Sequence, residues 1–426
     1  MDFSDTQEEA AFRGAARAWL EKNAEPKRGM GETWLARYGE AEGLARARDF
    51  QSQKAAAGFA AITWPPEYGG RGGTPIQQVI WNQEQSRFIA PRGYFEIGLG
   101  MCIPTLMAYG TEAQKQRFVP RALTGEEIWC QLFSEPGAGS DLAGLRTRST
   151  RDGDHWVLNG QKIWTSGAHF SDWGIIVTRS DPRAPKHKGL TFFFLDMRSP
   201  GIEVRRIKQI SGASNFNEVY FTDVRVPDTQ RLGEVGQGWR VSITTLMNER
   251  LAVGEVAGPD FDEVFALAQT LELEDGPALE NAAVRERLAD WYVRRQGLTY
   301  TRFRTMTALS RGQTPGPEAS IAKIVSAGKL QEIASFALDL LDAGGAVMDP
   351  AIAPMRAAFQ EALLYSPGAR IAGGTDEILK NIIAERVLGL PAEIRVDKDA
   401  PFDELPTGRE TERRAPGRGG DGGGRR

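Results

Sequence analysis

Glu249 and Arg250 are the only charges in the stretch VSITTLMNERLAVG, residues 241–254. On a helix, Glu249 shares a face with Thr245, Leu246, Ala252 and Val253, because residues three and four apart are neighbours. A carboxylate on an apolar face loses hydration, which raises its pKa and suits it to accept a proton. The same pattern also serves a structural ion pair or a solvent-facing side chain, and this window alone leaves those readings open.

Three further segments could hold a ligand. CQLFSEPGAGSDLAG, residues 130–144, has Gly137 and Gly139, which let a backbone approach a ligand closely, and Ser134 and Ser140, whose hydroxyls and neighbouring N–H groups suit a phosphate or a polar ring edge. Its spacing fits neither a P-loop nor a dinucleotide-fold fingerprint, and an ordinary surface loop would read the same way. WTSG, residues 164–167, ends a strand candidate with an aromatic and two hydroxyls; Trp164 suits the core or the flank of a flat cofactor. In RIAGGTDEILKNIIAERVLGLP, residues 370–391, Gly373 and Gly374 precede Thr375, a helix N-cap, with Asp376 and Glu377 in the first turn complementing the helix dipole. Leu379, Ile382, Ile383 and Val387 form one apolar face, and Gly389 followed by Pro391 stops the helix. Free N–H donors at that N-terminus suit a carbonyl or a phosphate, though a tight inter-helix turn has the same signature.

The elements that must position these residues fall into three textures. Residues 1–128 read as helical, for example Glu8 to Trp19 and Gln77 to Phe88, with a Pro/Gly loop from Pro65 to Gly73. Residues 129–240 read as strands: WGIIVTR, LTFFFLD, IEVRRIK and NEVYFTDVRV, with Asn159-Gly160 as a hairpin turn inside HWVLNGQKIW. Together they predict a compact antiparallel β domain. Residues 241–395 return to long helices, with a break at GQTPGP, residues 312–317, and residues 396–426 form a low-complexity tail expected to be disordered. The fold class is α+β.

Composition narrows the function. Net charge is −4 and no basic face is concentrated outside the tail, so neither nucleic acid nor an anionic membrane is an expected partner. No apolar run approaches the ~20 residues that span a bilayer, and the acidic start MDFSDTQEEAAF is not expected to be a secretory signal. Two cysteines, Cys102 and Cys130, suggest neither a disulfide framework nor a zinc site, and His155, His169 and His187 lack metal-ligand spacing. No metal is expected, and the cytoplasm is the default compartment.

EPGAGSD with LNGQKIWTSG, and GGTDEI followed by NIIAERVLGLP, resemble the acyl-CoA dehydrogenases; YGGRGG (residues 68–73) and EVYFTDVRVP (residues 218–227) are also similar to segments of that family. The resemblance spans residues 1–392 and implies an N-terminal helical domain, a central β domain and a C-terminal four-helix bundle. It implies non-covalent FAD, with Gln131, Leu132, Phe133, Ser134, Trp164, Thr165 and Ser166 lining the flavin, Ser140 near the pyrophosphate or the acyl-CoA, and Thr375 approaching FAD from the C-terminal domain. Ser140, Arg250, Gly373 and Gly374 are the implied acyl-CoA contacts. Many members carry the catalytic glutamate where this chain has Gly373; the isovaleryl-CoA and long-chain types carry it before an arginine on an earlier helix, and GWRVSITTLMNER reproduces that segment with Glu249 in the catalytic position. The implied reaction makes a trans-2-enoyl-CoA and passes electrons to an electron-transfer flavoprotein. The implied assembly is a homotetramer or homodimer, with a heterotetramer as the variant. LLDAGGAVMD, residues 340–349, departs from the family by lacking the usual glutamine, which puts cross-subunit FAD contacts in doubt. The competing expectations are a catalytically silent subunit, a flavin oxidase or monooxygenase, and a non-enzymatic helical scaffold.

Overall fold

The computed structural model describes residues 5–29, 32–253, 258–310, 316–317, 319–392, 394 and 397–405. Helix α1 (Gln7–Asn23) starts at a Thr6/Glu9 capping box and buries Phe12, Ala16 and Leu20, one residue per turn. A short strand β1 (Glu25–Pro26), helices α2 (Trp34–Tyr38) and α3 (Glu40–Ala56), helix α4 (Pro75–Gln85) and strand β2 (Phe88–Ile89), which pairs with β1, complete the first half of the N-terminal domain. Phe59 stacks on Trp81 of α4 in the core that also takes Phe12 and Leu20. A π-helical turn, Gly98–Cys102, leads into α5 (Ile103–Tyr109), and α6 (Glu112–Leu123) closes the domain.

The central sheet has seven strands: β3 (Trp129–Leu132), β4 (Arg148–Asp152), β5 (His155–Ser166), β6 (Trp173–Arg179), β7 (Leu190–Asp196), β8 (Ile202–Ile207) and β9 (Phe216–Pro227). Most pairings are antiparallel, as the alternating patterns predict. Two are not: β3 runs parallel to β6, and the start of β4 meets the end of β6, Arg148 opposite Arg179, in the same sense. The chain therefore leaves the sheet at residue 133 and rejoins it at residue 148, and the glycine loop is that excursion.

The Asn159-Gly160 hairpin is overturned. Strand β5 runs straight through both residues, and the reversal into β5 occurs at Gly153, with φ +63°. Asn159 Nδ2 donates to Asp223 Oδ1 at 2.9 Å, and its Oδ1 accepts from the Asp223 N–H at 3.0 Å, so the amide is spent across a β-bulge against β9. Gly160 is needed there for space: a Cβ would stand 2.5 Å from Thr147 Oγ1.

Helix α7 (Gly238–Val253) lies on β7 and α5; Thr105 and Thr245 share a buried hydroxyl–hydroxyl hydrogen bond of 2.8 Å, and Tyr109 reaches Thr244 at 2.9 Å. Beyond it come α8 (Phe261–Ala268), a small β10–β11 pair (Glu272–Leu273 with Gly276–Pro277), α9 (Ala282–Ser310), α10 (Ala319–Leu341), α11 (Ala358–Ile371) and α12 (Asp376–Ile382). Four of these helices, α8 to α11, supply one core through Val264, Leu267, Leu288, Trp291, Ile333 and Phe359. Most of the GQTPGP break lies outside the described residues. Residues 397–405 depart from the expected tail: they are ordered against the β domain, and Phe402 is buried.

Candidate active site

The glycine loop is pinned at both ends by one carboxylate. Glu135 accepts from the backbone N–H of Arg146 at 2.6 Å and of Thr147 at 2.9 Å, and from Lys162 Nζ at 2.8 Å. Burial pushes the Glu135 carboxyl up, but the Lys162 ammonium and the two N–H donors outweigh it, and the net direction is below the usual carboxylate range. Lys162 Nζ also donates to the Phe133 carbonyl at 2.9 Å, and the Ile163 N–H donates to the Ser134 carbonyl at 2.9 Å. The end of β3 is thereby stitched to β5, and the sheet curls. Gln131 to Ser134 and Trp164 to Ser166, read separately from the sequence, sit on either side of this seam.

Within the excursion, Glu135 and Ala138 exchange two backbone hydrogen bonds of 3.0 Å around Pro136-Gly137. A Cβ added to Gly137 or Gly139 would meet no atom within 4 Å, so the protein's own packing does not demand glycine at either position. Ser140 is exposed beside them, and its neighbour Asp141 pairs with Lys186 at 2.7 Å. Trp164 has φ +60°, a sparsely populated conformation for a bulky residue, and keeps 55% of its surface exposed with its ring edge-on to Phe216 at 6.1 Å. Thr165 is buried, and its Oγ1 has no hydrogen-bond partner.

The second group of predicted residues is held by α10. Gly373 and Gly374 have φ +65° and +98°, the left-handed region that glycine enters without strain. Lys323 Nζ donates to the Gly374 carbonyl at 2.7 Å. Thr375 caps α12 by accepting from the Ile378 N–H at 3.3 Å, as its type predicts. Asp376 does more than complement the dipole: it is buried and pairs with Arg370 at 2.7 Å, which also donates to Gln331. The expected apolar face is met in part: Leu379 is buried and Ile382 and Ile383 are half-buried, but Val387 is exposed in the π-helical turn Ile383–Val387 that follows α12; Gly389, with φ +68°, takes the predicted stop.

Glu249 and Arg250 fall on α7, one turn beyond Thr245, and their side chains lie outside the described residues. The sequence reading missed Glu135, Lys162 and Lys323. The first two stood in view as charges inside EPGAGSD and LNGQKIW; Lys323 gave no signal, since its partner is a carbonyl 51 residues away. His155 meets Asp154, His169 meets Asn217 and Glu40, and His187 packs on Trp239. Among the described residues no His/Cys/Asp/Glu group could hold a metal ion.

Three family domains match in order: Acyl-CoA dehydrogenase, N-terminal domain, over residues 6–126; the middle domain over residues 130–224; and the C-terminal domain over residues 236–388. The acyl-CoA dehydrogenase FadE34 of Mycobacterium tuberculosis is 40% identical over 336 residues, 78% of this chain and 45% of that protein, so the chain spans under half the length of that relative. The crystal structure of the ChsE4-ChsE5 complex from Mycobacterium tuberculosis superposes with a TM-score of 0.76 at 28% identity, covering 92% of this chain and 100% of that one. A structure described as the Tcur3481-Tcur3483 steroid ACAD gives the same TM-score, 0.76, at 28% identity, again over 92% of this chain and 100% of that one. The helix–sheet–helix order, the stitched glycine loop and these matches agree: the chain belongs to the acyl-CoA dehydrogenase family of FAD-dependent oxidoreductases.

Proposed function

We propose that this protein dehydrogenates an acyl-CoA thioester between its α and β carbons, giving a trans-2-enoyl-CoA, and that its acyl group is bulky, branched or ring-bearing. The observation that carries the reading is positional. The turn before α12 has Gly373, with no side chain, and the sequence of α7 offers Glu249, followed by Arg250, as the alternative carboxylate.

In this reading Glu249 takes the α-proton. Charge then develops on the thioester oxygen and must be met by a donor already in place. Glycine at position 373 keeps its backbone N–H for that purpose while leaving side-chain space near the reacting carbons. FAD, when bound, supplies the acceptor for the β-hydrogen, which leaves as hydride. The residues present fit that cofactor. Gly137 and Gly139 leave open space for a ligand's close approach, the Thr165 Oγ1 is buried with no protein partner, and Trp164 offers an uncovered aromatic face. Gln131 to Ser134 and Ser166 would line the ring, Ser140 the pyrophosphate or the CoA, and Thr375 would approach from the helical domain. Arg250 and Gly374 complete the proposed acyl-CoA contacts.

A steroid-derived acyl chain is the bulky class we favour, supported by the steroid ACAD named above. Electrons would pass to an electron-transfer flavoprotein in the cytoplasm; among the described residues no helix is long and apolar enough to cross a membrane. A homotetramer or homodimer is the simplest assembly; the ChsE4-ChsE5 complex supports a heteromeric assembly as the second reading, with this chain as its silent partner.

Anaerobic addition of straight, branched and steroid acyl-CoAs to the flavin-loaded protein tests this. Bleaching by the bulky class, abolished in Glu249→Gln with flavin retained, is the expected result. Flavin that no acyl-CoA bleaches would overturn the reading in favour of a silent subunit, and peroxide formation in air would favour an oxidase.

A further inference from the structure

Residues 397–405 form a strap across the β-domain face next to Ser140. The strap is joined by backbone hydrogen bonds, Phe402 N–H to the Ala184 carbonyl at 3.1 Å and Asp403 N–H to the Pro182 carbonyl at 3.0 Å. Its buried Phe402 ring has two cations over it: the Arg179 guanidinium carbon is 3.7 Å from the ring centroid, and that of Arg146 is 5.1 Å away. Its Asp397 carboxylate sits 2.7 Å from Lys186 Nζ, which at the same time holds Asp141 of the glycine loop at 2.7 Å. Arg179 is fixed from behind, donating to the carbonyls of Lys186 and Ala143, and its buried Nε has no partner. One flat aromatic on guanidinium groups and one anion on an ammonium, side by side, is the recognition chemistry of an aromatic base that carries phosphate.

We propose that the strap is a pseudo-ligand: Phe402 and Asp397 occupy a site on Arg179, Arg146 and Lys186 that takes the purine and phosphate of a nucleotide-bearing ligand, which must displace the strap to bind. The inference rests on the acyl-CoA reading above, since coenzyme A ends in adenosine 3′,5′-bisphosphate. Dehydrogenase chemistry is tested by flavin bleaching without reference to the strap, so the two failures are distinguishable.

The probe is adenosine 3′,5′-bisphosphate, titrated by calorimetry into the full-length protein. Phe402→Ala removes the competing ring and is expected to tighten Kd by about tenfold, the factor given by one cation–aromatic contact released from competition. Asp397→Asn should tighten it less. If Phe402→Ala lowers the melting temperature below the assay range, Phe402→Leu, which keeps an apolar plug and removes the ring, takes its place. Hydrogen exchange on the unaltered protein gives an independent readout: saturating probe should accelerate exchange at the Phe402 and Asp403 amides. An unchanged or weaker Kd in the variants, no measurable binding to either form, or amides that stay equally protected or become slower would each overturn the proposal and leave the strap as structural packing.

Discussion

Lys162 Nζ lies 2.8 Å from Glu135 Oε1, both side chains are out of water, and the pair ties the glycine loop to the strand that carries Trp164. Removing one partner of a buried ion pair leaves an uncompensated charge. Lys162→Met should therefore lower unfolding free energy by about 3–5 kcal/mol, read from the urea midpoint, and should loosen flavin as well. Glu135→Gln keeps the shape but strands the Lys162 ammonium and turns an amide N–H towards a donor, so it should also be clearly destabilised. An unchanged midpoint in Lys162→Met would mean that the seam holds without the pair.

Gly373 tests the substrate reading. At φ +65° an alanine there adds backbone strain of about 1 kcal/mol and a methyl group in the proposed acyl space. Gly373→Ala should reduce kcat/KM for bulky acyl-CoAs by roughly 10-fold or more relative to straight chains, the range that one misplaced methyl group gives in a fitted pocket. Equal losses for both classes would remove the steric argument.

Acid stability reports on the far end of the sheet. Hydrogen bonds from Arg231 and from the Trp156 indole hold the Asp228 carboxyl down at about 2, against an ordinary 3.8. A depressed carboxylate contributes stability that is present above the unfolded value and lost as pH falls through the folded one. Asp228→Asn should thus cost about 1 kcal/mol at pH 6, discounted for partial exposure, and the difference from the unaltered protein should shrink as pH drops from about 4 towards 2. A difference that stays constant with pH would assign the loss to shape rather than charge.

Cys102 and Cys130 are both buried free thiols; burial pushes Cys130 up to about 12 and raises Cys102 as well. Since the thiolate is the reactive form, iodoacetamide at pH 8 should leave the native protein unlabelled and add two groups per chain in urea. Rapid native labelling, followed by mass spectrometry, would show that the core beneath β3 opens.

Much of the fold was legible because its signals are local. Capping at Thr375, the stop at Gly389 and the branched, aromatic runs of β6, β7 and β9 all act within a few residues of the element they define. What escaped depends on distant partners. Asn159-Gly160 has the composition of a turn, but Asp223 absorbs the asparagine and Thr147 crowds the glycine, so the strand continues. The parallel β3–β6 pairing follows from the excursion between β3 and β4, which no alternation pattern encodes. Phe402 lies in a polar, Pro-containing segment whose order depends on Arg179 and Arg146, more than 200 residues earlier. For the candidate site, local chemistry marked the glycine loop and the Thr375 cap, and family likeness singled out Glu249. The charges that hold these segments in position came only from three dimensions.

The hydrogen bond from Lys323 to the Gly374 carbonyl has a directional consequence. In a trans peptide the C=O and the next N–H point opposite ways across one rigid plane. Clamping that oxygen onto α10 therefore sets the bearing of the Thr375 amide, like a vane fixed at one end. Any ligand that reads this amide is oriented by an ammonium on the other side of the plane, and replacing Lys323 would leave the amide intact but free to swing.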